Sequence, residues 1–349
     1  MAYTTIKKPS DYFNTKLYTG NGSTLNVTGL DFQPDFTWLK CRGIAYNHRL
    51  YDVIRTPLDS LRSDTNNSES ADGDGLSAFN SDGFTVTQGG NTEYNNNGVN
   101  YVGWNWLANN TSGSSNTDGS ITSTVSVNTT SGFSIVSYTG NGSAGATIGH
   151  GLGVSPSWIV TKKRSATGSW VVYHKSQGAT KYGILDTTAS FGTSSSLWND
   201  TEPTSSVFSV GTDADTNGSS ATFIAYCFAE KKGFSKFGSY TGNGNADGSF
   251  IYTGFKPAFI NIKRTDSLGQ WNMFDIARAD VPNANGNDQV IYSNSADAEL
   301  SSTTREIDLL SNGFKCRATG GDINASGGSY IYHAFAEEPL VGDNPATAR

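Results

Sequence analysis

The sequence predicts an all-β protein made of three antiparallel β-sandwich domains in tandem. The first observation behind this prediction is a pentapeptide that occurs three times at long, similar spacings. The second is that three strand-like blocks follow each copy in the same order. The third is a composition with 40 glycines and 12% aromatic residues in 349 residues, which suits many short strands joined by tight turns.

The pentapeptide Tyr-Thr-Gly-Asn-Gly, which we call the YTGNG motif, occupies 18–22, 138–142 and 240–244. Its copies lie about 100 to 120 residues apart, far more than the roughly 20–50 residues of a solenoid unit. A spacing of this size is typical of whole domains. The motif therefore indicates three domains, each with enough residues for its own core.

Three further blocks recur after each YTGNG motif. A proline at 34, 156 or 257 precedes an apolar run that ends in basic residues. An aromatic-rich block follows at 50–52, 170–174 and 271–275, and alternating aromatics close each copy at 101–106, 223–228 and 330–335. Each block has the length and composition of a β-strand.

The repeats and the segments between them define the predicted organisation. It comprises an N-terminal arm at 1–14, a first repeat at 15–111, a linker at 112–130, a second repeat at 131–232, a third repeat at 233–338 and a C-terminal tail at 339–349. The arm is either a frayed terminus or a segment that pins the domain to a neighbour. The linker has little to bury, so we expect the first domain to move relative to a stiffer pair formed by the other two.

Charge and cysteine content exclude several classes of protein. The net charge of −7 argues against a nucleic-acid partner, because that affinity depends on clustered Lys and Arg. Cys41, Cys227 and Cys316 are an odd number at unlike positions, which argues against a disulfide framework and favours folding in a reducing cytoplasm. The start of the sequence lacks the apolar core of a signal peptide, and no run approaches the roughly 20 apolar residues of a membrane span, so no membrane insertion is expected.

Two copies of a D-x-x-R spacing give the first candidate site. Asp52 with Arg55 and Asp275 with Arg278 each follow an aromatic residue, whereas the second repeat has His174 in this region and no matching arginine. One interpretation is a ligand clamp present in two domains. The other, which we favour, is an ion pair that ties a strand end to its turn.

The second candidate is an aromatic residue that could receive a sugar ring. Most of the seven tryptophans are expected in the core. Trp198 lies in a polar context, Ser-Leu-Trp-Asn-Asp, and is the tryptophan most expected in a loop.

A weak calcium candidate lies at Asp213, Asp215 and Asn217, which match the first half of a D-x-D-x-N-G calcium loop. The position that should supply a bidentate glutamate is Ile224. A tight polar turn is the alternative interpretation. No other cofactor or metal is predicted.

Catalytic patterns find little support in the sequence. The four histidines have no metal-ligand spacing, and no G-x-S-x-G occurs. A glycosidase needs two carboxylates across a sugar, and only a chance pair such as Asp52 with Glu93 would supply them. We therefore expect a protein that is not an enzyme.

The assembled motifs resemble a repeated domain of marine bacteriophage tail-fibre or virion structural proteins. These motifs are the YTGNG motif, the Phe-x-Pro-x-Phe/Trp strand, the Asp-Gly-Phe or Asn-Gly-Phe hairpin and the closing Tyr-x-x-Trp/His-x-Phe/Trp strand, across residues 11–349. That family is similar to concanavalin A-like and laminin G-like modules, which implies a lectin-like jelly roll with binding loops at one rim. The second repeat departs most, because it lacks D-x-x-R and the Gly-Phe hairpin.

The resemblance implies a non-enzymatic protein on the virion surface, made in the cytoplasm of the bacterial host. Our first hypothesis is a tail-fibre or receptor-binding component that adheres to host surface glycans and works as a homo-oligomer, a trimer, because linked weak sites gain avidity. The alternative is a capsid decoration or tail connector protein with a purely structural role. In either case its partners are other virion proteins.

Overall fold

The computed structural model describes residues 4–88, 92–279, 286–341 and 345–346. The described chain is almost entirely β, and every pair of strands in its sheets is antiparallel. This confirms the all-β prediction. Within these residues, no helix has both the length and the apolar character needed to span a membrane. Parts of the predicted arm, 1–3, and of the predicted tail, 342–344 and 347–349, lie outside the described residues.

The first third of the chain forms two sheets and a short ribbon. The larger sheet has the order β1-β9-β3-β4, the smaller has the order β2-β8-β7, and β5 pairs with β6. A 3₁₀ turn at Pro9–Asp11 precedes them. The strands are β1 Phe13–Thr19, β2 Leu25–Thr28, β3 Phe36–Cys41, β4 Arg49–Asp52, β5 Asp59–Ser60, β6 Ser70–Ala71, β7 Gly75–Asn80, β8 Gly83–Thr87 and β9 Asn100–Trp106.

The middle third forms an eight-stranded sheet and a pair of strands. The orders are β10-β11-β12-β19-β14-β15-β16-β17 and β13-β18. The strands are β10 Ser114–Asn116, β11 Ser123–Asn128, β12 Phe133–Thr139, β13 Ala146–Gly149, β14 Trp158–Lys163, β15 Trp170–His174, β16 Lys181–Ile184, β17 Gly192–Thr193, β18 Val207–Val210 and β19 Thr222–Phe228, with short helices α1 Ser195–Trp198 and α2 Ala214–Asn217.

The last third repeats the pattern with six and four strands. The orders are β20-β29-β22-β23-β25-β26 and β21-β28-β27-β24. The elements are β20 Ser235–Thr241, β21 Phe250–Tyr252, β22 Phe255–Arg264, β23 Trp271–Asp275, a 3₁₀ turn Ile276–Arg278, β24 Gly286–Asn287, β25 Gln289–Tyr292, β26 Leu300–Ser301, β27 Ile307–Leu310, β28 Gly313–Cys316, α3 Gly321–Asn324 and β29 Ser329–Pro339.

One strand order recurs in the three larger sheets. The opening strand of each repeat, which runs into the YTGNG motif, pairs with the closing strand. The closing strand pairs with the proline-led strand, which pairs with the aromatic strand, as β1-β9-β3-β4, β12-β19-β14-β15 and β20-β29-β22-β23. The registers also agree, since Phe36 faces Trp106, Trp158 faces Phe228 and Phe259 faces Phe335. These registers define which positions are equivalent among the repeats.

Four apolar cores hold the sheets together. Three of them are local, each made from the larger and smaller sheets of one repeat. The fourth is shared and takes residues from all three repeats, including Trp106, Phe228 and Phe335 at one equivalent position. The repeats are therefore joined by a common aromatic core in addition to their chain connections.

The segment predicted as a linker is part of the second repeat. In place of a flexible connection, 114–116 and 123–128 form β10 and β11, and β11 pairs with the opening strand β12 along its whole length. Val125 is buried in the local core of this repeat. Alternating Val125 and Val127 supply an apolar face, which is why this polar-rich segment folds as a strand.

The YTGNG motif is held by a buried asparagine in each repeat. The backbone N–H groups of Asn21, Asn141 and Asn243 donate to Oδ1 of Asn95, Asn217 and Asn324, all at 2.9 Å. The second glycine of the motif takes φ values near +70° in all three copies, a conformation that glycine adopts without strain. The motif is thus a structural loop, and we call its buried partner the anchor asparagine.

Candidate functional site

The D-x-x-R residues form a compact ion pair at the end of an aromatic strand. Asp52 Oδ1 accepts hydrogen bonds from the backbone N–H groups of Ile54 and Arg55, and Arg55 Nε donates to Asp52 Oδ2 at 2.6 Å. In the third repeat Arg278 Nε donates to Asp275 Oδ2 at 2.5 Å. The four side chains of these two pairs are fully buried.

The same carboxylates also contact the neighbouring repeat. Tyr226 Oη donates to Asp52 Oδ2 at 2.8 Å, and Trp104 Nε1 donates to Asp275 Oδ2 at 2.9 Å. Tyr226 and Trp104 occupy equivalent positions on closing strands. The D-x-x-R pair therefore lies at the interface between one repeat and the next.

Two glutamates extend these pairs across the interface. Glu69 contacts Arg55 Nη1 at 3.2 Å and Arg164 Nη2 at 2.8 Å, which joins the first and second repeats. Glu299 contacts Arg278 Nη1 at 2.8 Å and Arg42 Nε at 2.6 Å, which joins the third repeat to the first. In each of these two networks acidic and basic side chains alternate, so that each buried charge has a partner of opposite sign.

The interface between the second and third repeats is built differently. His174 takes the position of Asp52 and Asp275, and its Nε2 lies 3.3 Å from the Tyr332 carbonyl oxygen. Burial lowers the pKa of His174 to about 4, so the ring is neutral near pH 7. His333 takes the position of Trp104 and stacks on Trp158 with centroids 3.9 Å apart. A neutral contact thus stands at this interface in place of the ion pair.

A buried lysine crosses each of the three interfaces. Lys40, Lys162 and Lys263 are equivalent, and each donates to a carbonyl of another repeat, namely Ala296 at 2.9 Å, Asn66 at 3.3 Å and Thr188 at 2.9 Å. Each also donates to a carbonyl of its own loop. Burial among these neutral acceptors lowers the pKa of each lysine to about 8.

A ring nitrogen reinforces each interface. Trp170 Nε1 donates to the Arg62 carbonyl at 2.7 Å, and Trp271 Nε1 donates to the Ile184 carbonyl at 3.0 Å. His48, at the same position, has Nε2 2.9 Å from the Tyr292 carbonyl while its Nδ1 accepts from Trp38. The first repeat contacts the second, the second contacts the third and the third contacts the first, so the three repeats form a closed ring.

The centre of the ring offers no room for a ligand. An enclosed apolar cavity of about 10 Å³ lies there, lined by residues that include Trp106, Trp158 and Phe259. A cavity of this size is at the lower limit for one water molecule. The charged, polar and aromatic groups at the interfaces therefore hold the repeats together. They do so through ion pairs, hydrogen bonds to carbonyl oxygens and aromatic packing.

The residues predicted as ligand-binding lie away from the surface. Asp52, Arg55, Asp275 and Arg278 are used in the interfaces described above. Trp198, expected in a loop, ends the short helix α1 and is buried against Tyr173 and Phe208. Ligand binding by these five residues stays a prediction. The burial of all five side chains argues against it.

The calcium candidate has a structural role in the loop that holds the YTGNG motif. Asp213 caps helix α2, Asp215 contacts Lys163 Nζ at 3.1 Å, and Asn217 is the anchor asparagine of the second repeat. Their polar atoms point to different partners. Among the residues described, no group of three or more His, Cys, Asp and Glu side chains is placed to hold a metal ion.

The carboxylates considered for a glycosidase also have separate partners. Asp52 pairs with Arg55, whereas Glu93 pairs with the buried guanidinium of Arg49, which also contacts Asp72. Each carboxylate is thus held by its own arginine.

Sequence reasoning missed two exposed aromatic residues, one of which lies beside an open cleft. Phe250 and Tyr252 on β21 are 47% and 54% exposed. Tyr252 lines an open cleft of about 330 Å³ together with Ser235, Lys236 and Gly254. The sequence Phe-Ile-Tyr could have indicated this feature. Its two outer residues are aromatic, whereas the other repeats have small or polar residues at these positions.

Comparison with known proteins gives a family and no function. A family model described as "Domain of unknown function (DUF7483)" matches residues 8–339, which include all three repeats. No curated protein and no solved structure matches the chain.

Proposed function

The chain belongs to the DUF7483 family, and we propose that this member is a non-enzymatic structural protein on the surface of a bacteriophage particle. The observation that carries the proposal is the closed ring of repeats. The charged and aromatic groups that could have formed a binding site instead join one repeat to the next, as Asp52 does with Tyr226. A rigid block of this kind suits a decoration or connector protein that holds other virion proteins.

The proposal includes a finer description of the fold. Each repeat has a larger and a smaller antiparallel sheet with an apolar core between them. This supports three tandem β-sandwich domains of the jelly-roll, lectin-like kind. Superposition of 15–110, 131–230 and 234–338 tests the repeat, and two copies that fail to overlay would contradict it.

The receptor-binding role in a tail fibre is the second candidate. The observation in its favour is Tyr252, an exposed ring beside a cleft with polar walls, since aromatic rings with polar rims receive sugars. In that role the protein would bind host surface glycans. A homotrimer also stays a prediction, which the mass of the purified protein in solution would test.

Labelled-antibody microscopy of intact particles separates the two roles. Copies spread over the capsid lattice, or a collar at the tail connection, would support the structural proposal. Copies at fibre tips, together with purified protein that binds host cells and blocks adsorption, would support the receptor-binding role and contradict the first.

A further inference from the structure

We propose that a cleft between the first and third repeats binds an acidic side chain, aspartate or glutamate, of a partner polypeptide. The cleft has a volume of about 310 Å³, and its walls are the loop after β3, the start of β9 and Glu299. We call it the Arg42 cleft, after the arginine in its wall. This inference goes beyond the proposed function, because it names a site and the chemical group that enters it.

The Arg42 cleft has a glycine where the other two repeats have a polar side chain. The position three residues after the buried interface lysine is Gly43 in the first repeat, Ser165 in the second and Asp266 in the third. A Cβ added to Gly43 would have no heavy atom within 4 Å, and the φ angle of this glycine is not positive. A larger residue would therefore fit here without strain, and the glycine leaves its place open.

In the second and third repeats, the side chain at this position lies next to the first backbone N–H of the closing strand. Thr222 N–H donates to Ser165 Oγ at 3.2 Å. In the third repeat the pKa of Asp266 is lowered, first by Arg264, whose Nε donates to Asp266 Oδ1 at 2.8 Å, and also by the N–H of Ser329. The third repeat thus already places an aspartate between an arginine and this N–H.

In the first repeat the equivalent N–H belongs to Asn100. The carbonyl of Asn100 accepts from Arg42 N–H at 2.9 Å. Because the N–H and C=O of one strand residue point to the same neighbouring strand, the N–H of Asn100 also points towards the loop that contains Gly43. No oxygen among the described residues accepts from it. This N–H is therefore available to an acceptor from another molecule.

Arg42 supplies the positive charge of the cleft. Its Nε donates to Glu299 Oε2 at 2.6 Å, and neither of its Nη groups has a partner among the residues described. The equivalent Arg164 uses all three nitrogens, because Nε and Nη2 donate to Glu69 and Nη1 donates to Ser137 Oγ. The planar guanidinium group is well suited to binding carboxylates. The Nη groups of Arg42 can thus bind one more carboxylate.

The other walls of the cleft are compatible with an acidic side chain. Glu299 is already paired, because its Oε2 binds Arg42 and its Oε1 binds Arg278 Nη1 at 2.8 Å, and this pairing offsets its repulsion of a second carboxylate. Ile44 is 36% exposed and offers an apolar contact to the carbon atoms of the incoming residue. Asp266 is the precedent for an amino-acid side chain at this position, which favours a polypeptide over an acidic sugar.

The direct probe is N-acetylaspartate N-methylamide, which is an aspartate with peptide bonds on both sides and is ionised at pH 7. It is titrated into the isotopically labelled full-length protein, and the amide signals are followed by NMR. We expect a saturable shift of the Asn100 signal, because its N–H would donate to a charged oxygen. N-acetylasparagine N-methylamide has the same shape without the charge, and it should cause no saturable shift.

Gly43→Asp tests the site within the protein itself. This variant places a carboxylate where Asp266 stands in the third repeat, so it should weaken binding of the aspartate probe by about ten-fold or more, the effect of losing one hydrogen bond to a charged group. Gly43→Ala is the matched control, because it adds only a Cβ to open space and should leave the affinity unchanged. Thermal unfolding of both variants confirms that they are folded.

Three results would overturn the proposal: no shift at Asn100, an equal shift with the asparagine probe, or equal affinity of Gly43→Asp for the aspartate probe. Glucuronate that shifts the Asn100 signal when the aspartate probe does not would assign the cleft to an acidic glycan, which also contradicts a polypeptide partner. None of these results depends on where the protein lies on a particle, so failure here and failure of the proposed function are distinguishable.

Discussion

Single buried polar side chains fix the loops and interfaces of this protein. The anchor asparagine is the clearest case, because its Oδ1 accepts from the YTGNG motif while its Nδ2 donates to carbonyl oxygens, for example Asn324 to Asn245 and Ala318. The motif was recognisable in the sequence because it repeats without change. Its partner was not, since the residues around Asn95, Asn217 and Asn324 differ in each copy.

Replacing this asparagine should weaken the fold measurably. Asn95→Ala would leave several buried hydrogen-bonding groups of the YTGNG loop without partners, and we expect the free energy of unfolding to fall by about 2–3 kcal/mol. Denaturant unfolding measures the change. Asn97→Ala is the control, because Asn97 lies in the same loop and is exposed. Similar losses in the two variants would contradict the role given to Asn95.

The buried lysines make stability depend on pH in a specific direction. The pKa of Lys162 is about 8 in the folded protein and 10.5 as its ordinary value. Between these values the unfolded state binds more protons, so the contribution of Lys162 to the free energy of unfolding rises with pH. Below about pH 8 the cost of burying the charged amine is fully present.

Lys162→Met removes this titration while keeping the length of the side chain. We expect the stability of the wild type relative to this variant to increase between about pH 8 and pH 10.5, by up to about 3 kcal/mol. Urea unfolding of both proteins at several pH values measures it, and buried tyrosines and cysteines cancel in the difference. A difference that stays constant with pH would show that Lys162 titrates normally.

At the scale of elements, strand β11 belongs to the second repeat, so this repeat begins within the segment that was predicted as a linker. Composition alone favours a linker at 112–130, because Ser, Thr, Asn and Gly dominate. The alternation of Val125 and Val127 predicts a strand, but the polar residues around them obscure this pattern. The strand forms because β12 offers an edge with which it pairs, and its two valines pack against Gly151. The D-x-x-R pairs show the same limit of sequence analysis. Their spacing can be recognised in the sequence, but the sequence does not show that a neighbouring repeat buries them.

Hydrogen exchange distinguishes a strand from a linker at this place. Amides of 123–128 that pair with β12 should exchange far more slowly than those of the exposed segment 109–113, because exchange requires the ladder to open. Mass spectrometry of peptides from the folded protein measures both. Fast exchange throughout 109–128 would restore the linker.

On the scale of the whole molecule, the shared aromatic core couples the three repeats. Trp106 contacts Phe228 of the second repeat and Phe259 and Phe335 of the third, with centroids 5.6 to 6.2 Å apart. The number of repeats followed from the YTGNG motif, whereas their mutual packing did not. The repeats meet through the alternating aromatic residues of their closing strands. In a single sandwich domain, residues of this kind would be buried inside that domain, so the sequence pattern does not distinguish the two arrangements.

This coupling predicts one cooperative unfolding transition. Trp106→Ala should lower the free energy of unfolding by about 3–5 kcal/mol, as truncation of a large buried aromatic does, and all three repeats should unfold at the same lower denaturant concentration. Hydrogen exchange of peptides from each repeat, followed through the transition, measures this. Separate midpoints for the three repeats would show that they are independent.

A ring closed within one chain has a consequence for valency. In a trimer of identical chains every change occurs three times, so three equal edges would always be presented. Here the three opening strands have diverged: β1 carries Lys16 and ends its sheet, β12 is paired with β11, and β20 carries Lys236 and ends its sheet. The molecule is therefore threefold in its packing and asymmetric in its edges, and dilution cannot separate its parts.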